Sequence, residues 1–321
     1  MTKKQKYREF CKKEKNIPIF SKDWWLDSVC GKDNWDIVLV EKGGQIIASL
    51  PYYKTKKAFF EIISMPKLTQ NMGVYLKYPE NQKYEKRLSF EKEVVTELID
   101  QIPIVDSFSQ NFHYNFNNWL PLYWKDFKQT TRYTYVIVDL LKKSEDDILK
   151  DFHSSYRNKI KKAQKAVVVK KGLSIESFYE INMKTFERQN IDNPYSLEFI
   201  KGHDERLHQN KAREIFYAED ESGNIHSALY LTWDKNSSYV HMVGEDPQLR
   251  KSAAGILLVL ETIRYTKDVL KLDNYDFEGS MLENIEHVRR SFGAIQKPYF
   301  NISKTNSKVL KIRQVIKEIM K

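Results

Sequence analysis

Two hairpin turns fix much of what this chain can become. Lys42-Gly43-Gly44-Gln45 separates the strand-like runs WDIVLV (35–40) and IIASLPYY (46–53), and Gly223-Asn224 separates EIFYAED from IHSALYLTW over 214–233. Small residues tolerate the positive φ that a tight hairpin demands, so each turn commits its flanks to antiparallel pairing. Around each turn the sequence repeats one order. A helix comes first (21–30 in one half, 174–190 and 195–209 in the other), then the hairpin and a third strand (AFFEIIS at 58–64, SSYVHMVG at 237–244). A helix (84–101; 253–266) and a further strand (104–112; NYDFEGS at 274–280) complete it. The duplication is one of architecture rather than of aligned residues. It predicts an α+β fold of two similar domains with mixed, mainly antiparallel sheets, divided into 1–134 and 135–321, with YVIVDL (135–140) opening the second half. The length agrees, because single cores stop growing at roughly 250–300 residues and this chain has 321.

Local signals fill in the frame. Ser21 is placed to cap the first helix, with Asp23 in its first turn. Phe90, Val94, Val95, Leu98 and Ile99 share one stripe of the helix over 84–101. Residues 146–165 read as one helix ending in a basic run, and 113–135 as an aromatic, irregular connection. Residues 282–291 read as a helix and PYFNIS (298–303) as a short strand. A final helix over 306–320 gathers Val309, Ile312, Ile316 and Ile319 on one face.

Composition removes several function classes. With 41% hydrophobic and 13% aromatic residues the chain is not intrinsically disordered. It has no apolar run of about 18 residues to span a bilayer, and MTKKQKYREFCKKEK has no apolar core for a signal peptide. Cys11 and Cys30 are the only cysteines and form no CxxC, against a zinc site or a disulfide framework. A cytoplasmic location follows as the expectation. The net charge of +10 points to an anionic partner. It is clustered: residues 1–15 carry seven positive and two negative charges, 154–173 seven and none, 304–321 six and one.

Three stretches have the makings of chemistry. Arg250-x-x-Ala253-Ala254-Gly255 opens an apolar helix, where small residues and free N–H groups suit a phosphate. Arg157, Lys161 and Lys165 recur at four-residue spacing on a helix, a row suited to neutralising phosphates. Asp276-Phe277-Glu278-Gly279-Ser280 puts carboxylates at a strand end, suited to taking a proton from an amine. Each also has a plain structural reading: a helix start, a solvated helix face, a strand terminus.

In this order the stretches resemble the Fem-type aminoacyl transferases and related two-domain members of the GNAT superfamily. The resemblance rests on the basic helix Arg157-Asn158-Lys159-Ile160-Lys161-Lys162-Ala163-Gln164-Lys165, the strand end Asp276-Phe277-Glu278-Gly279, the turn Phe292-Gly293, and Met183, Phe186 and Arg188 ahead of the second hairpin. It covers about 136–300 well. It extends more loosely over 20–130, on Trp35, Leu50-Pro51 and the run Pro66 to Gly73. What it implies is tandem GNAT-like (acyl-CoA N-acyltransferase) folds and direct transfer of an acyl group from a thioester or ester to an amine, such as that of an amino sugar or cell-envelope precursor. The implied donor is acyl-CoA, an acyl carrier protein or an aminoacyl-tRNA, so tRNA or an acidic carrier protein is an implied partner. Glu278 or Asp276 would be the base, and Tyr299 would protonate the leaving group. Arg157, Lys161, Arg250, Ala253, Ala254 and Gly255 would hold donor phosphates. His241 and Glu245, on the strand before that loop, are runners-up as site residues. The chain departs from the family in lacking both the inserted helical arm of the peptidoglycan enzymes and a Gly-x-Gly/Ala loop. Two other readings stay open: a noncatalytic nucleic-acid binder, and a degenerate GNAT scaffold serving as an interaction protein.

Overall fold

A computed structural model describes residues 1–279 and 281–320. The chain divides into two units, Met1–Arg132 with Pro298–Lys321, and Tyr133–Lys297. The first opens with α1 (Lys3–Lys13) and α2 (Asp23–Cys30), followed by β1 (Trp35–Lys42), β2 (Gln45–Lys57), β3 (Phe60–Ser64), β4 (Tyr75–Leu76), α3 (Tyr84–Asp100), β5 (Ser107–Asn111) and α4 (Leu120–Tyr123). β6 (Lys128–Ile137) leads into the second unit: α5 (Glu145–Asp151), α6 (Ser154–Ala163), β7 (Val168–Lys171), α7 (Ile175–Arg188), α8 (Leu197–Gln209), β8 (Arg213–Glu219), β9 (Ile225–Trp233), β10 (Ser238–Glu245), α9 (Ala254–Asp268), β11 (Tyr275–Asp276) and α10 (Glu283–Arg290). β12 (Ile295–Thr305) and α11 (Lys308–Ile319) end the chain. No helix among the described residues is long and apolar enough to cross a membrane.

The expected repeat is present in the strand pairing. In the first unit β1, β2 and β3 pair antiparallel in sequence, β3 runs parallel to β5, and β5 pairs antiparallel with β12. In the second unit β8, β9 and β10 pair antiparallel, β10 runs parallel to β11, and β11 pairs antiparallel with β6. Each parallel step is bridged by a helix, α3 in one and α9 in the other. The fold is thus α+β with mainly antiparallel pairing, as the sequence predicts. The closing strands depart from the expected domain limits. Residues 298–321, assigned above to the second domain, pack in the first, because Asn301–Thr305 of β12 fill the free edge of β5.

Local corrections have simple causes. Ser21 does not cap α2; Lys22 holds that position, and the Ser21 hydroxyl accepts a bond from Gly73 N at 3.0 Å. The helix expected over 146–165 is two, broken at Phe152 and His153, whose backbones are extended. Helix α1 and strand β7 are additions to the expected elements.

In the second unit α9 buries Leu257, Leu258, Leu260 and Ile263 on the sheet. Full burial of a leucine-sized side chain contributes roughly 1.5–3 kcal/mol. Phe277 stacks on Phe292 with centroids 5.5 Å apart, and Phe292 meets Phe152 and Tyr156 edge-on. Gly244 and Gly293 are fixed by close approach. A Cβ at Gly244 would lie 2.7 Å from backbone atoms of α7, and one at Gly293 2.6 Å from Asp151 Cβ.

Candidate active site

Strand β10 pairs with β11 only through Ser238 and Tyr239. Beyond that point β10 runs on to Glu245 without its parallel neighbour, and a bulge between Val240 and Met242 leaves His241 without a register partner on β9. β11 ends at Asp276, and Glu278 and Gly279 then take left-handed conformations, φ 56° and 62°. A side chain other than glycine in that region stores about 1–2 kcal/mol of strain. Here that backbone brings the Glu278 carboxylate onto the bulge: Glu278 Oε1 lies 2.8 Å from His241 Nδ1.

The chain of polar groups continues inward. His241 Nε2 lies 3.2 Å from His203 Nε2 on α8. His203 and the His241 side chain are almost fully buried, while the Glu278 side chain keeps 14% exposure. Burial, helped by the neighbouring His241, holds the His203 imidazole well below its ordinary pKa, so it is neutral. With Glu278 ionised and accepting from His241 Nδ1–H, the neutral His241 tautomer offers its Nε2 lone pair to His203 Nε2–H. Burial raises the Glu278 pKa, opposed by His241 and Arg289. α8 is held in place by Asp204, which accepts from the Tyr230 hydroxyl and from Arg213, each at 2.8 Å.

Asp276 is completely buried, and desolvation pushes its carboxyl up to about 7. Its Oδ1 accepts from the Thr134 hydroxyl at 2.6 Å and from Glu278 N at 2.8 Å, while Oδ2 has no partner among the described residues. Asp276 therefore positions the strained turn that carries Glu278, and of the two carboxylates only Glu278 reaches solvent. Arg289 on α10 lies over the Phe277 ring, 5.1 Å from its centroid, in the field of Glu278 and Asp276, and its buried Nε is unpaired among the described residues.

The expected phosphate-binding residues are brought near one another, since α6 packs on α9 and on the turn at 250–252. Ala253 is left-handed (φ 61°), a conformation that favours glycine, and Gly255 lies against the Ser227 hydroxyl, so the small residues have geometric reasons. Two features depart from an open anion site. Arg250 Nε pairs with Glu245 Oε2 at 2.5 Å, and Glu245 Oε1 sits 3.6 Å from where a Gly255 Cβ would be. Arg157 directs Nη1 to the carbonyls of Leu149, Lys150 and Phe152 at the end of α5. Lys161 is exposed. Tyr299 lies on β12 in the first unit, and Ser280 is outside the described residues.

His203 and Arg289 are absent from the sequence expectations, and His241 ranks there behind Glu278. A signal for His203 exists: Ile200, His203, Asp204 and Leu207 share one helix face, so two polar residues occupy positions a core face would fill with apolar ones.

Residues 150–283, from the end of α5 past β11, match the family model described as an acetyltransferase (GNAT) domain. Among solved structures, one described as FemX superposes with a TM-score of 0.69 at 13% identity, covering 94% of this chain and 96% of that one. L-PGS from Bacillus licheniformis gives 0.55 at 9% identity, with 97% and 95% covered. A conserved protein of unknown function from Bacteroides thetaiotaomicron gives 0.53 at 11%, with 92% and 96% covered. Among curated proteins no match is found. The likenesses establish the fold, a two-unit Fem-like GNAT architecture.

Proposed function

We propose, on the premise of a GNAT domain over 150–283 within a FemX-like fold, that this chain moves an acyl or aminoacyl group from an ester or thioester to an amine, with Glu278 as the base. The observation that carries the reading is the Glu278–His241–His203 chain beside the unpaired end of β10. The acceptor ammonium gives its proton to the Glu278 carboxylate, and the freed nitrogen lone pair forms the C–N bond. The tetrahedral oxyanion collapses, the C–S or C–O bond breaks, and the leaving sulfur or oxygen takes the proton back from Glu278; the second proton shed by the nitrogen as it becomes an amide passes to the freed Glu278 carboxylate and from there to solvent. His241 and His203 hold the carboxylate in orientation, and the Arg289 guanidinium supplies positive charge for the oxyanion. Tyr299 is not needed as the acid in this scheme.

Glu245 bears on the choice of donor. Its carboxylate lies against the turn where a CoA diphosphate would bind, and like charges repel there. This favours an aminoacyl ester carried on tRNA over acyl-CoA. Lys159, Lys161, Lys162 and Lys165 are exposed on or just beyond α6 and available to RNA phosphates.

The test is Glu278→Gln, assayed for release of thiol from acyl-CoA and of uncharged tRNA from aminoacyl-tRNA in the presence of an amine acceptor. Turnover is expected to fall about 10²–10⁴-fold with the melting temperature unchanged. Full activity would remove Glu278 from the chemistry. A melting temperature raised by CoA, through mass action on the native state, would overturn the donor preference.

A further inference from the structure

The last helix presents its apolar face outward. Ser307 caps α11, and at about 100° per residue Val309, Ile312, Val315, Ile316, Ile319 and Met320 fall within one arc of roughly 140°. In a surface helix that arc faces the core. Here its residues are 50% to 82% exposed. The side turned to the rest of the unit is the other one, where Leu310 is half-buried and Gln314 Nε2 donates to Thr305 Oγ1 at 3.2 Å. The helix is thus anchored through the opposite side, by Leu310 and Gln314.

Charge says what covers the stripe. Lys311 and Arg313 flank it on opposite sides, Lys308 and Lys317 lie towards its two ends, and among the described residues none of the four forms an ion pair. The unit that carries α11 holds 28 Lys and Arg against 17 Asp and Glu, net +11, whereas the other holds 25 against 26, net −1. The occupant has to be apolar within and anionic at its rim. A second copy fits poorly, because a self-complementary contact would set two such basic helices together.

We propose that α11 docks on an anionic lipid bilayer, lying in its plane. Ile312, Ile316 and Ile319 sink below the headgroups, and the stems of Lys311 and Arg313 run up to the lipid phosphates. Each cation held near such a surface strengthens binding about fivefold, so the attachment is reversible and weakens with salt. The proposal stands independently of the chemistry at Glu278.

The test is flotation of the full chain with vesicles of phosphatidylcholine and phosphatidylglycerol, against vesicles of phosphatidylcholine alone. Binding is expected to the mixed vesicles and to be at least about tenfold weaker to the neutral ones. Ile312→Glu with Ile316→Glu should lower it at least tenfold, and Lys311→Glu with Arg313→Glu about twentyfold or more. All four side chains are outside the core, and an unchanged melting temperature confirms folding. Absence of binding to the mixed vesicles, or equal binding by the variants, overturns the proposal. Dimerisation in vesicle-free solution that the isoleucine variants abolish also overturns it, and gives the stripe to a second copy.

Discussion

The two units share one strand plan and have opposite polar interiors. In the first, the parallel strands β3 and β5 last pair at Ile63 and Phe108; in the second, β10 and β11 last pair at Tyr239 and Asp276. Two residues beyond those points stand Gln110 and Glu278. Gln110 is completely buried and spends Nε2 on the carbonyls of Pro51 and Met72, at 3.0 and 2.5 Å. Glu278 is strained, partly exposed and backed by two imidazoles. The buried acid of the first unit, Glu91, is saturated by Tyr78, Arg87 and Asn118, while Asp276 keeps one oxygen unpaired. An amide whose Nε2 is tied to two backbone carbonyls does structural work, even with its Oε1 unpaired among the described residues; a carboxylate left short of donors keeps reactivity that the fold has to hold in place.

The comparison can be broken most severely at Gln110. Gln110→Glu would turn a carboxylate oxygen onto two carbonyls in a site with no solvent, and is expected to cost several kcal/mol, read as a large fall in melting temperature. Parent-like stability would mean that the first unit tolerates charge where the second uses it. Next is Gly244→Ala, whose added carbon meets the α7 backbone at 2.7 Å. A loss of about 3 kcal/mol in denaturant unfolding is expected, and a smaller loss would show that α7 shifts easily on β10.

Asp276→Asn sharpens the contrast in pH. The folded-state pKa of about 7 lies above the ordinary carboxylate value of 3.8, so between those values the native state holds the extra proton and Asp276 lowers stability as pH rises. The variant keeps an oxygen for Thr134 and Glu278 N. It should match the parent near pH 4 and exceed it increasingly up to pH 7, followed by melting temperature against pH; parallel curves would show that Asp276 is ionised at little cost. The smallest effect is expected for Ala253→Gly, where relief of the left-handed backbone is worth up to about 1 kcal/mol. A destabilised variant would show that the methyl group packs usefully.

Much of the fold is legible in the sequence because its signals are local. Gly43-Gly44 and Gly223-Asn224 announce hairpins through the φ values they permit, and the stripe from Phe90 to Ile99 announces α3 through its period. Asp276 and Glu278 are legible as a strand-end pair, but their division of labour is not, since it depends on which one the fold seals from water. His203 meets His241 across 38 positions of sequence, and no periodicity reports such a pairing. The outward face of α11 is illegible for the same reason: an apolar stripe states that something must cover it, not what. β12 misled because a strand carries no mark of which edge it will fill.

The crossing of β12 has a consequence for how the protein is made. During synthesis the β5 edge leaves the ribosome open, and the segment that closes it emerges only after the whole second unit. Until then the nascent chain exposes a row of unsatisfied amides and carbonyls of the kind that recruits other chains. A product ending prematurely at residue 297 would therefore damage the half of the molecule that was translated first.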